Sequence, residues 1–194
     1  MAIMCLQGVM AQNKLIRPAY FGVSFIANDY KTAQLIRSSS LGAVLRDKSQ
    51  AKFGEMSTGL AVHYFQGLTP HIDVAATLAG SFANNVLPNK SVNSNKFLLE
   101  GDISGNFKMF TENYLFTPYL IAGLGFSEYQ NYYSAIIPLG GGFKFNLFDE
   151  AALFITTEYR IPITPNTNNY HFMHSFGVAG VIGQKKALEQ IPAQ

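Results

Sequence analysis

The sequence predicts an all-β chain, a single eight-stranded antiparallel up-and-down transmembrane β-barrel. Three observations carry that prediction. Only 13% of the 194 residues are charged and 48% are hydrophobic, whereas a soluble domain carries about 25% charged residues. No apolar run reaches the roughly 20 residues that a membrane-spanning helix needs, and the mean hydropathy is only +0.10. The chain alternates apolar and small or polar residues with period two, the spacing that sends successive side chains to opposite faces of a strand.

The alternation is clearest in Phe97–Phe110, where Leu99, Gly101, Ile103, Gly105, Phe107 and Met109 share one face. Glu100, Asp102, Ser104, Asn106 and Lys108 share the other; a helix would scatter those charges around its circumference. Seven more segments repeat the pattern. In chain order their apolar faces begin with Phe21, Val23 and Phe25, then Leu60, Val62 and Tyr64, then Ile72, Val74 and Leu78. After the Phe97 segment come Leu120, Leu124 and Phe126, then Ile137, Leu139 and Phe143, then Leu153, Ile155 and Tyr159, and last Phe176, Val178 and Ile182. The connections Gln66–Pro70, Thr111–Phe116 and Phe148–Glu150 are short, while Asp29–Lys52 and Asn84–Lys96 are long and Thr164–Phe172 is moderate. Gln130–Ser134 is short where a long loop is due. Long loops on one rim and tight turns on the other describe a meander, and eight strands are about the fewest that close a barrel without an edge.

The inward face follows from the company the charges keep. Gly, Ala and Ser separate them, which suits a narrow lumen, and both signs occur. Glu55, Asp73, Glu100, Asp102 and Glu158 stand against Lys108, Lys144 and Arg160, a set able to pair as a nearly dry lumen requires. The acids outnumber the bases, so water, His63 or a protonated carboxyl supplies the rest. The apolar face then meets lipid; an apolar lumen would make the chain a soluble lipocalin-like ligand-binding barrel instead. Tyr64, Phe110, Tyr114, Phe116, Phe145 and Phe148 fall toward the turn rim, and Tyr20, Tyr129, Tyr132, Tyr133, Tyr170 and Phe172 toward the loop rim, as interfacial girdles.

Four segments, Thr117–Ser127 (TPYLIAGLGFS), Pro138–Phe145 (PLGGGFKF), Leu153–Ile161 (LFITTEYRI) and Ser175–Gly183 (SFGVAGVIG), resemble the transmembrane domain of the OmpA-like family of Gram-negative outer membranes. The first half of the chain follows only the pattern. The resemblance implies an outer-membrane location, both chain ends in the periplasm, and contact with outer-membrane lipids. Many members continue into a peptidoglycan-binding domain, and Gln184–Gln194 (QKKALEQIPAQ) reads as a polar periplasmic linker or tail, where a connection to such a domain would begin. Met1–Gln12 reads as a truncated signal peptide, giving a barrel over residues 13–183.

Little in the chain points to catalysis. Glu158 and Arg160, and Glu100 and Asp102, lie two apart on strand faces and read as an ion-pair network inside a closed barrel. His63, His71, His171 and His174 are too scattered for a metal site, and no cofactor is implied. His174 and Ser175 are adjacent and so project to opposite faces, unlike the lipid-facing His and Ser two apart of barrel deacylases. The single cysteine excludes a disulfide scaffold, and a net charge of +2 excludes nucleic-acid binding through bulk charge. The long loops lean basic. Lys31, Arg37, Arg46, Lys48, Lys90 and Lys96 are candidate contacts for phosphorylated lipid heads or surface partners. The expected role is therefore structural or anchoring and non-enzymatic, with a narrow pore as the alternative and a lipid-modifying enzyme behind it.

Overall fold

A computed structural model of the chain describes residues 19–84, 86–87, 96–110, 114–147, 151–164 and 167–182. Eight strands follow one another: β1 (Ala19–Asp29), β2 (Ser57–Gly67), β3 (Ile72–Ala83), β4 (Lys96–Lys108), β5 (Phe116–Tyr129), β6 (Tyr132–Leu147), β7 (Ala151–Pro162) and β8 (His171–Ile182). Each pairs antiparallel with its sequence neighbours, and β1 closes on β8 from Ala19↔Ile182 to Asp29↔Phe172. The strands run from 11 residues in β1 to 16 in β6, enough to cross a bilayer at a tilt, which takes about 9–11 residues.

The faces separate as the alternation dictates. Val23, Leu60, Val62, Leu78, Ile103, Leu120, Leu124, Leu139, Ile155 and Val178 form an exposed apolar belt around the outside. The buried inward positions include Ser24, His63, Asp73, Thr77, Glu100, Asp102, Lys108, Glu158, Arg160 and Ser175. This inversion of the soluble arrangement makes the fold a transmembrane barrel with lipid outside and a polar interior.

Glycine makes room where the small lumen is tightest. Gly125 lies opposite Asp102 and Gly140 opposite Glu158. A Cβ on Gly125 would fall 2.7 Å from the Asp102 Cβ, and one on Gly140 would fall 2.7 Å from the Glu158 Cα. The β5–β6 ladder is interrupted between Ala122↔Leu139 and Gly125↔Ile136 without a change of register. Pro138 lies in that gap and has no N–H to donate.

Two connections differ from their sequence reading. The long first loop folds into helices α1 (Tyr30–Ser38) and α2 (Leu41–Arg46) and a 3₁₀ turn, Phe53–Glu55. Asp29 caps α1 through Thr32 N, and Ser40 caps α2 through Ala43 N, so local side-chain acceptors nucleate helix where the alternation stops. The connection expected over Gln130–Ser134 narrows to Gln130 and Asn131, at φ of 49° and 66°. Positive φ at both central residues is the signature of a tight I′ hairpin turn, which lets the pairing of β5 and β6 reach Tyr129↔Tyr132.

Two aromatic assignments are corrected. Tyr20 lies at the turn end of β1, opposite Phe65 and Val181, and is buried inside the barrel. Tyr129 reaches the loop end but points inward, where its hydroxyl donates to the Ala83 carbonyl at 2.9 Å. Both fall on the inward phase of their strands, which outweighs the general preference of tyrosine for a headgroup level. The segments read as a leader (1–12) and a linker (184–194) lie outside the described residues, as does Phe148.

Candidate functional site: the lumen network and the loop rim

The inward face of β7 places Glu158 and Arg160 beside Glu100 and Asp102 from β4, although β5 and β6 separate the two strands in the sheet. Arg160 has no exposed side-chain surface; its Nη2 donates to Asp102 Oδ2 at 2.7 Å and to Glu158 Oε2 at 3.2 Å, and Nη1 lies 3.3 Å from Glu100 Oε2. Charges this deeply buried persist only when paired, because desolvation costs each ion several kcal/mol. One guanidinium therefore serves three carboxylates, and one of them, Glu100, has a second partner.

That partner is His171, the first residue of β8. Its Nε2 is 3.2 Å from Glu100 Oε2 and its Nδ1 is 3.1 Å from the Asn169 carbonyl. Both ring nitrogens thus lie within hydrogen-bond distance of an oxygen. The sequence reading offers His63 for this role, but His63 lies deeper, with Nε2 2.8 Å from Ser24 Oγ and Nδ1 3.2 Å from Thr77 Oγ1. The signal that could have found His171 is its phase: it shares a face with Met173 and Ser175, both buried.

The remaining predicted lumen charges divide. Lys108 Nζ donates to Asp73 Oδ1 at 2.6 Å near the turn end, with both side chains almost fully buried. Lys144 lies over the Tyr20 ring, 4.5 Å from its centre, a cation–π contact. Glu55 is outside the lumen and corrects the sequence reading. The chain turns through Phe53–Glu55 before β2 begins at Ser57, so the strand's alternation does not extend back to it. Its exposed carboxylate accepts from Lys31 Nζ at 2.8 and 3.0 Å and from Lys52 N at 2.8 Å. These bonds hold the Glu55 carboxyl below its ordinary range.

Above the Arg160 cluster the loop-side mouth is apolar. Tyr30, Ala83, Val86, Leu87, Leu98 and Tyr129 pack as one buried cluster, and the Tyr30 ring centre lies 4.6 Å from that of His171. Burial pushes the Tyr30 hydroxyl well above its ordinary pKa, so it stays neutral. Below the cluster, a cavity of about 20 Å³ lies among Tyr20, Asp73, Lys108, Tyr119 and Lys144, and another of about 10 Å³ among His63, Thr77, Tyr119 and Glu158. Each has room for about one or two waters.

The basic loop residues have different surroundings. Lys31 pairs with Glu55, and Arg46 Nε donates to Asp47 Oδ1 at 3.0 Å. Lys48 is exposed at a φ of 49°, and Lys96 opens β4 opposite Ala83. Arg37 rests over Tyr170, with its Cζ 3.6 Å from the ring centre. Lys90 lies outside the described residues. His171 and His174 project to opposite faces: His171 is buried in the lumen, while His174 lies on the outer face with Nδ1 3.0 Å from Thr157 Oγ1. Among the described residues no group of three or more His, Cys, Asp or Glu is placed to hold a metal.

A closed eight-stranded sheet, an outward apolar belt and a charge-paired interior define a transmembrane barrel of the outer-membrane type. Solved structures of that class are similar to it. Neisserial surface protein A matches with a TM-score of 0.54 at 14% identity, covering 86% of this chain and 99% of that one. OprG of Pseudomonas aeruginosa matches at 0.55 and 10% identity, covering 87% and 97%. The N-terminal barrel domain of OprF from the same organism matches at 0.50 and 12% identity, covering 84% and 97%. At such identities the likeness establishes the fold. No family model and no curated protein matches the chain.

Proposed function

We propose that this chain is a non-enzymatic outer-membrane protein whose barrel has a structural or anchoring role and whose loop rim binds surface partners. The outer membrane is supported by the outward apolar belt and by the barrels the fold resembles. One observation carries the choice of a closed barrel over a pore: Arg160 is fully buried among three carboxylates, beneath the apolar Tyr30–Leu98–Tyr129 seal. An ion crossing the lumen would have to break that cluster and then pass an apolar layer that cannot replace its hydration.

Purified chain reconstituted in planar bilayers is expected to show no unitary conductance, and regular current steps in wild type would favour the narrow-pore reading. Folded chain in detergent is expected to migrate differently on gels before and after boiling. For anchoring, retention of the folded chain on purified peptidoglycan is the test.

A further inference from the structure

We infer that Arg37 and the aromatic ladder beneath it form a binding site for a phosphorylated glycolipid, with the phosphate on Arg37 and an acyl chain along the outer faces of β7 and β8. Among the described residues the basic groups of the first loop fall into distinct settings. Lys31 and Arg46 are paired with Glu55 and Asp47. Arg37, exposed in the last turn of α1, has no carboxylate partner and instead lies 3.6 Å from the centre of the Tyr170 ring. A guanidinium on an aromatic face keeps its full charge and its donor-bearing edge, the features that suit it to bidentate recognition of phosphate.

The rings continue from that point toward the membrane. Tyr170 stacks with Tyr159 at 5.9 Å, Tyr159 packs on Phe172 at 4.9 Å, and Phe172 stacks with His174 at 6.1 Å. The next outward pair on the two strands is Ile155 and Phe176, both exposed within the apolar belt. One continuous strip therefore runs from a cation, over ring faces and hydroxyls suited to a sugar, to an apolar surface suited to a hydrocarbon chain. A lipid with a phosphorylated sugar head presents the same three chemistries in the same order. A free phosphate or sugar phosphate would use only the upper part.

The site rests on the reading of this chain as a membrane barrel with its loop rim at a lipid headgroup layer, but it does not depend on whether the lumen conducts. The test is a titration of diphosphoryl lipid A into the folded full chain in dodecyl maltoside micelles, read by native mass spectrometry. Arg37→Gln is expected to weaken binding at least about tenfold, the scale of one lost charge-assisted hydrogen bond. Tyr170→Leu should also weaken it, Arg37→Lys should restore it only in part, and Lys52→Gln should leave it unchanged. Dephosphorylated lipid A should bind wild type no better than diphosphoryl lipid A binds Arg37→Gln, and millimolar inorganic phosphate should not displace the lipid. Each variant is first checked for the gel shift of a folded barrel; should Arg37→Gln not fold, Arg37→Lys and Tyr170→Leu carry the comparison. Wild-type affinity in the folded Arg37 and Tyr170 variants, equal loss in Lys52→Gln, or ready displacement by phosphate would overturn the site. Conductance in planar bilayers with Arg37-dependent binding intact would sink the closed-barrel function and still support this site.

Discussion

Arg160 Nη2 lies 2.7 Å from Asp102 Oδ2, joining β7 to β4 across the lumen with β5 and β6 between them in the sheet. Neighbouring strands are held by their ladders, whereas this contact holds opposite walls. The pair is therefore a cross-brace, and removing the guanidinium strands Asp102 and Glu158 while leaving Glu100 only His171.

Arg160→Met should destabilise the folded barrel by about 3–5 kcal/mol, the usual result of leaving buried charge uncompensated. The measurement is the urea midpoint of the heat-shifted band in detergent or lipid vesicles. Asp102→Asn should cost less, because Arg160 keeps Glu158 and Glu100. Equal loss in the two variants would show that the brace acts through Asp102 alone.

The Lys108–Asp73 pair at the turn end offers a cleaner cycle, since its 2.6 Å bond is separate from the Arg160 cluster. Lys108→Met alone should destabilise by about 3 kcal/mol through the stranded carboxylate, while the double variant Lys108→Met/Asp73→Leu should recover most of that loss. Additive losses in a thermodynamic cycle would show the two residues to be uncoupled.

Gly140 is closely confined by the facing strand. A Cβ there would fall 2.7 Å from the Glu158 Cα and against the Thr157 carbonyl. Neither atom is the flexible end of a side chain, so Gly140→Val should abolish the heat-shifted band, and Gly140→Ala should cost about 1–3 kcal/mol. Gly42 on α2, with open space around it, is the control and should accept alanine without loss.

The Lys31–Glu55 clamp should loosen in acid. Hydrogen bonds from Lys31 and the Lys52 amide depress the Glu55 carboxyl. A carboxyl lowered in the folded state contributes its stability above its unfolded pKa and loses it as pH falls through the folded one. Cleavage within residues 30–56 by an acid-active protease should therefore rise below the ordinary carboxylate range. Glu55→Gln should show the raised cleavage at every pH, and a wild-type profile in that variant would rule out the clamp.

Much of the barrel was legible because one physical rule, outward lipid and inward polarity, is written at every second residue. The phase of Glu100, Asp102, Glu158 and Arg160 put them in the lumen from sequence, and the structure brings those four together. The same rule misplaces residues where a strand has not begun or where aromatic preference competes with phase. Glu55 belongs to a 3₁₀ turn, and Tyr20 and Tyr129 follow their strands inward. The sequence reading weighs His171 only as a metal ligand and not as a lumen residue, because it sits at a loop–strand boundary, where alternation has only just started.

Alternation by itself determined the strand order, the facing of the side chains and the separation of long loops from short turns, since each depends on neighbours in sequence. Which charges meet was decided only by tertiary structure. Closing β1 on β8 sets the stagger of all the strands, and with it the heights of Arg160, Asp102 and His171 in the lumen. The same closure brings Arg37, on a helix the alternation did not foresee, over Tyr170. Such meetings join residues far apart in the chain, and only a closed sheet with a fixed radius and tilt specifies the distance between them.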